Sequence, residues 1–280
     1  MLMMNSGIKR FLAGACVLGA MLFAGCNEPK EVASPFVTTE GVNFIKDGQP
    51  YRFIGTNFWY APILGSEGEG GDRERLAKEL DFMKANGIDN LRILVGGEGE
   101  NGLLGKIEPN LQPEPGVYND EVLAGLDYLM MELGKRDMTA VLYFNNAWEW
   151  SGGYTQYVAW ANEEPVLVPR VDGWFSYNAF AGEFVRNERA KELFYNHVRY
   201  IVTRTNRYTG VKYIDDPAIF SWQISNEPRA FSSKEVDNKE AFAEWLATSA
   251  KLIRSIDPNH MISTGSEGYY GCEWDMDLCE

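Results

Sequence analysis

Histidine is nearly absent from this chain: His197 and His260 are the only two among 280 residues. They lie far apart, in helix-like and turn-like contexts, so both read as structural residues and no metal centre is expected. Cysteine is almost as scarce. Of four, Cys16 and Cys26 fall in the N-terminal leader, and only Cys272 and Cys279 remain. A local disulfide between those two and a pair of reduced loop thiols both stay open. Positive charge is in deficit, with 26 Lys and Arg against 40 Asp and Glu, a net −14. That argues against nucleic acid as a partner, because phosphate binding needs basic patches. An uncharged polymer suits the same balance. No apolar run is long enough to span a bilayer: the 15 residues Phe11 to Gly25 fall short of the roughly 20 that a transmembrane helix needs. Nor does a glycine fingerprint follow an early strand, so a nucleotide-binding doubly wound sheet has no support. No cofactor is expected.

What is present begins with a leader. Lys9 and Arg10 precede the apolar stretch, as in an export signal. It closes on Leu22-Phe-Ala-Gly-Cys26, which resembles the lipobox of bacterial lipoproteins, where cleavage precedes the cysteine and its thiol is lipidated. Phe23 departs from the usual Leu, and an ordinary signal peptide with an incidental Cys is the alternative. The expected organisation is a signal peptide over 1–25, a polar tether over 26–35 and a catalytic domain over 36–280. Such a chain is exported and anchored to a membrane through lipid on Cys26, or secreted. Losing Lys9 and Arg10 takes the net charge from −14 to −16.

Apolar residues make up 45% of the chain, enough for a substantial core. Beyond the tether, strand-like and helix-like segments alternate. Val42 to Phe53 reads as a hairpin turning at Asp47-Gly48, and Tyr51 to Trp59 as a continuing strand. Asp72 caps a helix running to about Asn86, with Leu76, Leu80 and Met83 at helical spacing. Strands follow at 88–95, 139–144, 218–225 and 261–264; Asn119 or Asp120 opens a second helix with Leu123, Leu126, Met130 and Leu133 on one face, and further helices follow at 188–208 and 237–256. The segments 96–117 and 145–177 read as long loops. Alternation of this kind implies parallel strands with crossover helices, and long loops after strands suit a (β/α)₈ barrel. Only five strands are counted by residue 280, whereas the barrel needs eight. An incomplete barrel, C-terminally truncated, is therefore the expected fold class, α/β with about the first five βα units.

The chemistry sits at the strand ends. In Trp222-Gln-Ile-Ser-Asn-Glu-Pro228 a run of β-formers delivers Glu227 to the C-terminal rim, and Pro228, which has no N–H, stops the strand. Glu227 reads as a proton-donating carboxylate, and Asn226 as a donor to a substrate hydroxyl. A donor at that place needs its pKa raised toward the working pH. Arg92, near the end of the second barrel strand, is costly to bury unless it pairs with a carboxylate. The 145–177 segment is rich in aromatics, whose faces pack on the C–H faces of pyranose rings; Trp148 is the candidate platform.

Gly55-Thr-Asn-Phe-Trp-Tyr60, Asn145-Asn-Ala-Trp148 with Gly152-Gly153-Tyr154, Ala218 through Arg229, and Gly265-Ser-Glu-Gly268 together resemble the endo-β-1,4-mannanases of glycoside hydrolase family 5. The resemblance runs from about Phe36 to the last residue. It implies retaining, endo-acting hydrolysis of mannan, glucomannan or galactomannan, with Glu227 as acid/base and Arg92 beside the nucleophile. The nucleophile itself would be a glutamate after the seventh strand, beyond residue 280, so the chain alone is expected to be inactive. Phe58-Trp59-Tyr60 shifts the order of the family's first motif, leaving both Trp59 and Tyr60 as candidate sugar contacts. The partner implied is a β-mannan polysaccharide or its oligosaccharides, bound by a monomer. Two rivals are an endo-β-1,4-glucanase of the same superfamily and a surface glycan-binding lipoprotein without catalysis.

Overall fold

The computed structural model describes residues 34–102, 105–271 and 273. Cys26 with its leader, Cys272 and Cys279 lie outside them. Three short antiparallel strands come first, β1 (Thr38–Glu40), β2 (Asn43–Lys46) and β3 (Gln49–Tyr51), in that order. Asp47 and Gly48 both take positive φ, 52° and 72°, the geometry of a two-residue hairpin turn. Phe44 and Phe53 pack edge-on against Phe220 at 5.0 and 5.1 Å. The hairpin is thereby seated by the start of a barrel strand.

Tyr51 to Trp59 does not continue as one strand. β3 pairs antiparallel with β2, whereas the next strand, β4 (Ile54–Asn57), pairs parallel with a later one. The backbone must change partner and direction of pairing between them, and it does so at Arg52-Phe53. From there the order is α1 (Ala61–Leu64), α2 (Arg73–Ala85), β5 (Ile88–Leu94), α3 (Asp120–Lys135), β6 (Thr139–Tyr143), α4 (Gly153–Asn162), α5 (Pro169–Asp172) and α6 (Trp174–Ala181). The chain then continues through α7 (Glu188–Val202), β7 (Ile219–Gln223), α8 (Lys239–Ile256) and β8 (Met261–Ser263). The five later strands form one parallel sheet in the order β4-β5-β6-β7-β8. Sequential parallel neighbours with helical crossovers are consecutive βα units of a (β/α)₈ barrel. β5, β6 and β7 are largely buried, while the outer strands β4 and β8 are half-exposed or exposed.

Side-chain caps start three of the helices. The Asp72 side chain accepts the Arg75 N–H, Asn119 accepts those of Glu121 and Val122, and Asn187 accepts that of Ala190. Two expectations fail, each for a visible reason. The 145–177 segment is not a loop: after a short turn it is helical, and Tyr154, Tyr157, Val158 and Ala161 are all buried at helical spacing. Tyr154, Tyr157 and Tyr177 are thus core residues and not sugar platforms. The helix from Glu188 stops at Val202, short of Tyr208, because Asn206 folds its side-chain oxygen back onto the N–H groups of Tyr208 and Thr209. That local turn competes with helix continuation.

The same segment is held by a buried charge network. Asp127 of α3, fully buried, takes both Nε (2.8 Å) and Nη2 (2.7 Å) of Arg204 and the Tyr213 hydroxyl (2.7 Å). It thereby ties α3 to the passage between α7 and β7. Removing one side of such a pair strands the other charge in the interior. Asp127→Ala is expected to cost about 3–5 kcal/mol of stability, read by urea denaturation, whereas substituting the exposed Glu74, paired with Lys78 on α2, is expected to cost less than about 1 kcal/mol.

Candidate active site

Hydrogen bonding between β6 and β7 does not stop where the strands end. Asn226 N–H donates to the Asn145 carbonyl (2.7 Å), and Ala147 N–H donates to the Asn226 carbonyl (3.0 Å). The Asn226 side-chain amide adds a bond to Asn146 Oδ1 at 3.0 Å. Asn226 is 9% exposed, and through this bond its amide helps to hold the two rims together.

One residue further, Glu227 takes φ +49°, a left-handed conformation that costs a side-chain-bearing residue of order 1–3 kcal/mol and persists only when its surroundings enforce it. Enforcement comes from both neighbours. The Glu227 N–H donates to the Gly265 carbonyl at 3.0 Å. Gly265 itself has φ +88°, and a Cβ there would stand 1.8 Å from the Ser225 carbonyl oxygen, so only glycine fits. The carboxylate is held from the other side, where the Trp148 indole Nε1–H donates to Glu227 Oε2 at 2.5 Å. Trp148 is therefore a direct partner of the Glu227 carboxylate. Arg229 lies 5.0 Å over the Trp148 ring and makes a close ion pair with Glu267. Glu267 is thus already engaged as the partner of Arg229.

Arg92 meets an amide and a ring face. Its partner among the described residues is not a carboxylate: Nε donates to Gln223 Oε1 at 2.7 Å, and the guanidinium stacks 4.0 Å over Tyr143. Burial pulls its pKa down, with Tyr143 and Glu227 opposing. Gln223 continues the line to Ser263 at 3.2 Å, so a polar belt crosses β5, β7 and β8 just inside the rim. Gln223 escaped sequence reasoning; its signal was a polar residue within the apolar run of β7.

Trp59 and Tyr60 separate. The Tyr60 hydroxyl bonds Glu79 of α2 (3.5 Å), and Arg75 lies over its ring, which turns it toward that helix. Trp59 meets Trp150 of the β6 turn at 5.5 Å, which leaves Trp59 as the one directed to the rim. A cleft of about 550 Å³ opens beside Trp148, lined by Trp174, Arg229, Phe231, Tyr270 and Glu273. Among the described residues no three His, Cys, Asp or Glu side chains group as metal ligands.

Both histidines are buried in structural networks. His197 Nε2 lies 2.9 Å from the Val95 carbonyl, and burial drives its pKa down to about 4, so it is neutral near pH 7. His260 sits between Asp257 Oδ2 (2.6 Å) and the Asp216 carbonyl (3.0 Å). Burial by itself would raise Asp257, but the bonds from His260 and Trp222 outweigh it and bring its pKa to about 2.

A buried glutamate after β5 was not foreseen. Glu98, 1% exposed, follows β5 in Gly-Gly-Glu-Gly. Its Oε2 accepts the Gly153 N–H (2.9 Å) and its Oε1 the Tyr157 hydroxyl (3.3 Å). Burial pushes its pKa from 4.5 up to about 7 against these bonds and the nearby Lys106. A folded-state pKa above the unfolded one means the native state binds more protons, so stability falls as pH rises through that window. Ionising Glu98 is expected to cost about 3 kcal/mol between pH 4.5 and pH 8, a slope that Glu98→Gln abolishes in urea denaturation series.

A parallel sheet of five consecutive βα units, with a strained glutamate at the C-terminal rim beside an aromatic cleft, is the arrangement of an incomplete (β/α)₈ barrel. The family described as GH family 5 beta-mannosidase-like matches residues 34–280, and the chain belongs to glycoside hydrolase family 5. The mannan endo-1,4-beta-mannosidase 1 of Oryza sativa subsp. japonica is 30% identical over 259 residues, 92% of this chain and 55% of the relative. That of Solanum lycopersicum is 30% identical over 245 residues, 86% and 55% respectively. Among solved structures, a mutant of the family 5 mannosidase of Rhizomucor miehei, in complex with mannosyl-fructose, is similar at 34% identity and TM-score 0.77, over 85% of this chain and 57% of that one. The endo-1,4-beta-mannanase of the same organism is similar at 28% and 0.65, over 83% and 61%. The chain spans about half the length of the curated relatives it matches.

Proposed function

We propose that this chain carries the acid/base half of a retaining β-mannanase active site, cleaving β-1,4-mannosidic bonds inside mannan, glucomannan or galactomannan. The observation that carries the reading is the Glu227 carboxylate, set in a strained conformation at the strand end and gripped by Trp148. Glu227 protonates the glycosidic oxygen as it leaves and later takes the proton from the attacking water. A retaining mechanism also needs a second carboxylate about 5–5.5 Å away as nucleophile. The described strands offer Arg92 and Gln223 at the rim, and Arg92, which has no carboxylate partner among the described residues, keeps that nucleophile ionised in this reading. Trp59, Trp148 and the polar groups of the cleft supply the sugar contacts. The names of the plant relatives and of the Rhizomucor mannanase support mannan as substrate. Export with a lipid on Cys26, and action as a monomer, complete the proposal.

A second reading has one observation in its favour: the Rhizomucor mannosidase overlays with a TM-score of 0.77 against 0.65 for the mannanase. It would release mannose from chain ends instead of cutting internally. Product analysis from mannohexaose separates them, since internal cutting gives mannobiose and mannotriose first.

Purified residues 26–280 are expected to release no mannotriose from soluble mannan, and release would overturn the half-site reading. In a chain extended through the seventh and eighth strands, Glu227→Gln is expected to lower kcat by roughly 10²–10⁴-fold while mannohexaose binding persists. A chain that binds mannan equally well but never cleaves it, with or without the substitution, would instead be a glycan-binding protein.

A further inference from the structure

The turn that carries Trp148 is gripped at both ends. Its inner end is sewn to the β7 rim through Asn146 and Ala147. Its outer end, Ser151 to Gly153, is held by one residue of the β5 loop. Glu98 N–H donates to the Ser151 carbonyl (2.9 Å), and its carboxylate accepts the Gly153 N–H and the Tyr157 hydroxyl. Gly152 fits so tightly that a Cβ would lie 2.2 Å from the Glu98 carbonyl oxygen. Within the turn, Asn146 Nδ2 donates to Ser151 Oγ (3.0 Å), and the Trp148 N–H donates to Asn146 Oδ1 (3.1 Å). A continuous set of bonds thus runs from Glu98 through Ser151 and Asn146 to the indole that holds Glu227. Glu98 touches neither the cleft nor the acid.

We propose that Glu98 is a positioning residue for the acid/base carboxylate, its ionised form setting the outer end of the 146–153 turn and so the place of the Trp148 indole on Glu227. The assignment of Glu227 as acid/base rests on the function proposed above; the mechanical link from Glu98 to Trp148 does not. As observed, both Glu98 oxygens act as acceptors, which is the arrangement of a carboxylate. A proton on Oε1 turns toward the Tyr157 oxygen at 3.3 Å, and the Tyr157 O–H must then turn to Gln112 Oε1 at 3.5 Å. Protonation therefore reverses the bond with Tyr157 and removes the charge that strengthens the bond from the Gly153 N–H. Because burial raises the pKa of Glu98 to about 7, that change falls near neutral pH. The groups facing it are Tyr157 of α4, Lys106 and Gln112 of the β5 loop, and Tyr118 ahead of α3; Glu149 faces Lys106. Lys106 is itself lowered to about 8 by burial, so it must be varied separately.

The test is nuclear magnetic resonance of the chain labelled with ¹⁵N-tryptophan, following the Trp148 indole N–H, identified by its loss in Trp148→Phe. Glu227→Gln serves as the background, so that titration of the acid itself is removed while an acceptor for the indole remains. The expected result is a Trp148 shift titrating with a midpoint near pH 7, absent in Glu98→Gln, whose resonance stays at the acid-limit position throughout. Tyr157→Phe, which removes a donor to the carboxylate, is expected to move the midpoint upward, as is Lys106→Met. A Trp148 resonance that does not move between pH 5 and pH 9, or one whose titration survives Glu98→Gln, overturns the proposal. Were Glu98→Gln to unfold, the direction of the midpoint in Tyr157→Phe decides: a shift upward supports the link and an unchanged midpoint overturns it. None of these readouts depends on mannan cleavage, so failure of the functional reading is seen separately.

Discussion

The site depends on hydrogen bonding carried past the ends of two adjacent parallel strands. A parallel ladder ordinarily leaves the groups beyond its last register to solvent or to loops. Here Asn145, Asn146, Ala147 and Asn226 extend it by several residues, and both side chains and backbone take part. Two consequences follow. The chain leaving β7 is directed so that Glu227 must adopt a left-handed conformation, and the chain leaving β6 is directed so that Trp148 reaches back to it. Neither the strain at Glu227 nor the indole contact would persist without that stitching, since each is local and costly by itself.

The electrostatics of the rim divide by depth. Away from the cleft, two fully buried carboxylates have partners: Asp127 with Arg204, and Asp257 with His260 and Trp222. Burying an unpaired charge is prohibitive, and these pairs fasten helices to strands far from the cleft. At the rim the rule relaxes. Arg92 keeps its charge among an amide and a ring face, and Glu98 lies buried with hydrogen-bond donors around it and a cation only nearby. Both hold groups poised to respond to another charge or to a proton. The Arg229–Glu267 pair beside Trp148 is intermediate, partly exposed and stacked on an aromatic face.

Much of this arrangement was legible from residue order alone. Asp47-Gly48, the caps Asp72 and Asn119, the five barrel strands and the rim position of Glu227 follow from turn chemistry, capping and strand propensity, all properties of neighbours in sequence. The aromatic segment reads wrongly by composition, because its density of Trp and Tyr masks its spacing; Tyr154, Tyr157 and Ala161 mark a buried helix face. Tyr60 and Trp59 could not be separated, because which one faces α2 depends on where α1 and α2 lie. The end of α7 turned on Asn206 and on Asp127, the latter brought in from another helix.

The sequence by itself determined the alternation of strands and helices, the delivery of a glutamate to a strand end and the glycines that strained backbone requires. Such features arise from steric preferences and hydrogen bonds between residues a few positions apart. Tertiary structure decided what each rim residue faces: Trp148 on Glu227, Arg92 on Gln223 rather than a carboxylate, Glu98 on Gly153 and Tyr157. Those partners lie between 55 and 131 positions apart, and the order of strands in the sheet brings them within bonding distance. Glu227 is a recognisable acid in the sequence. Its orientation, and the residues that hold it there, belong to the fold.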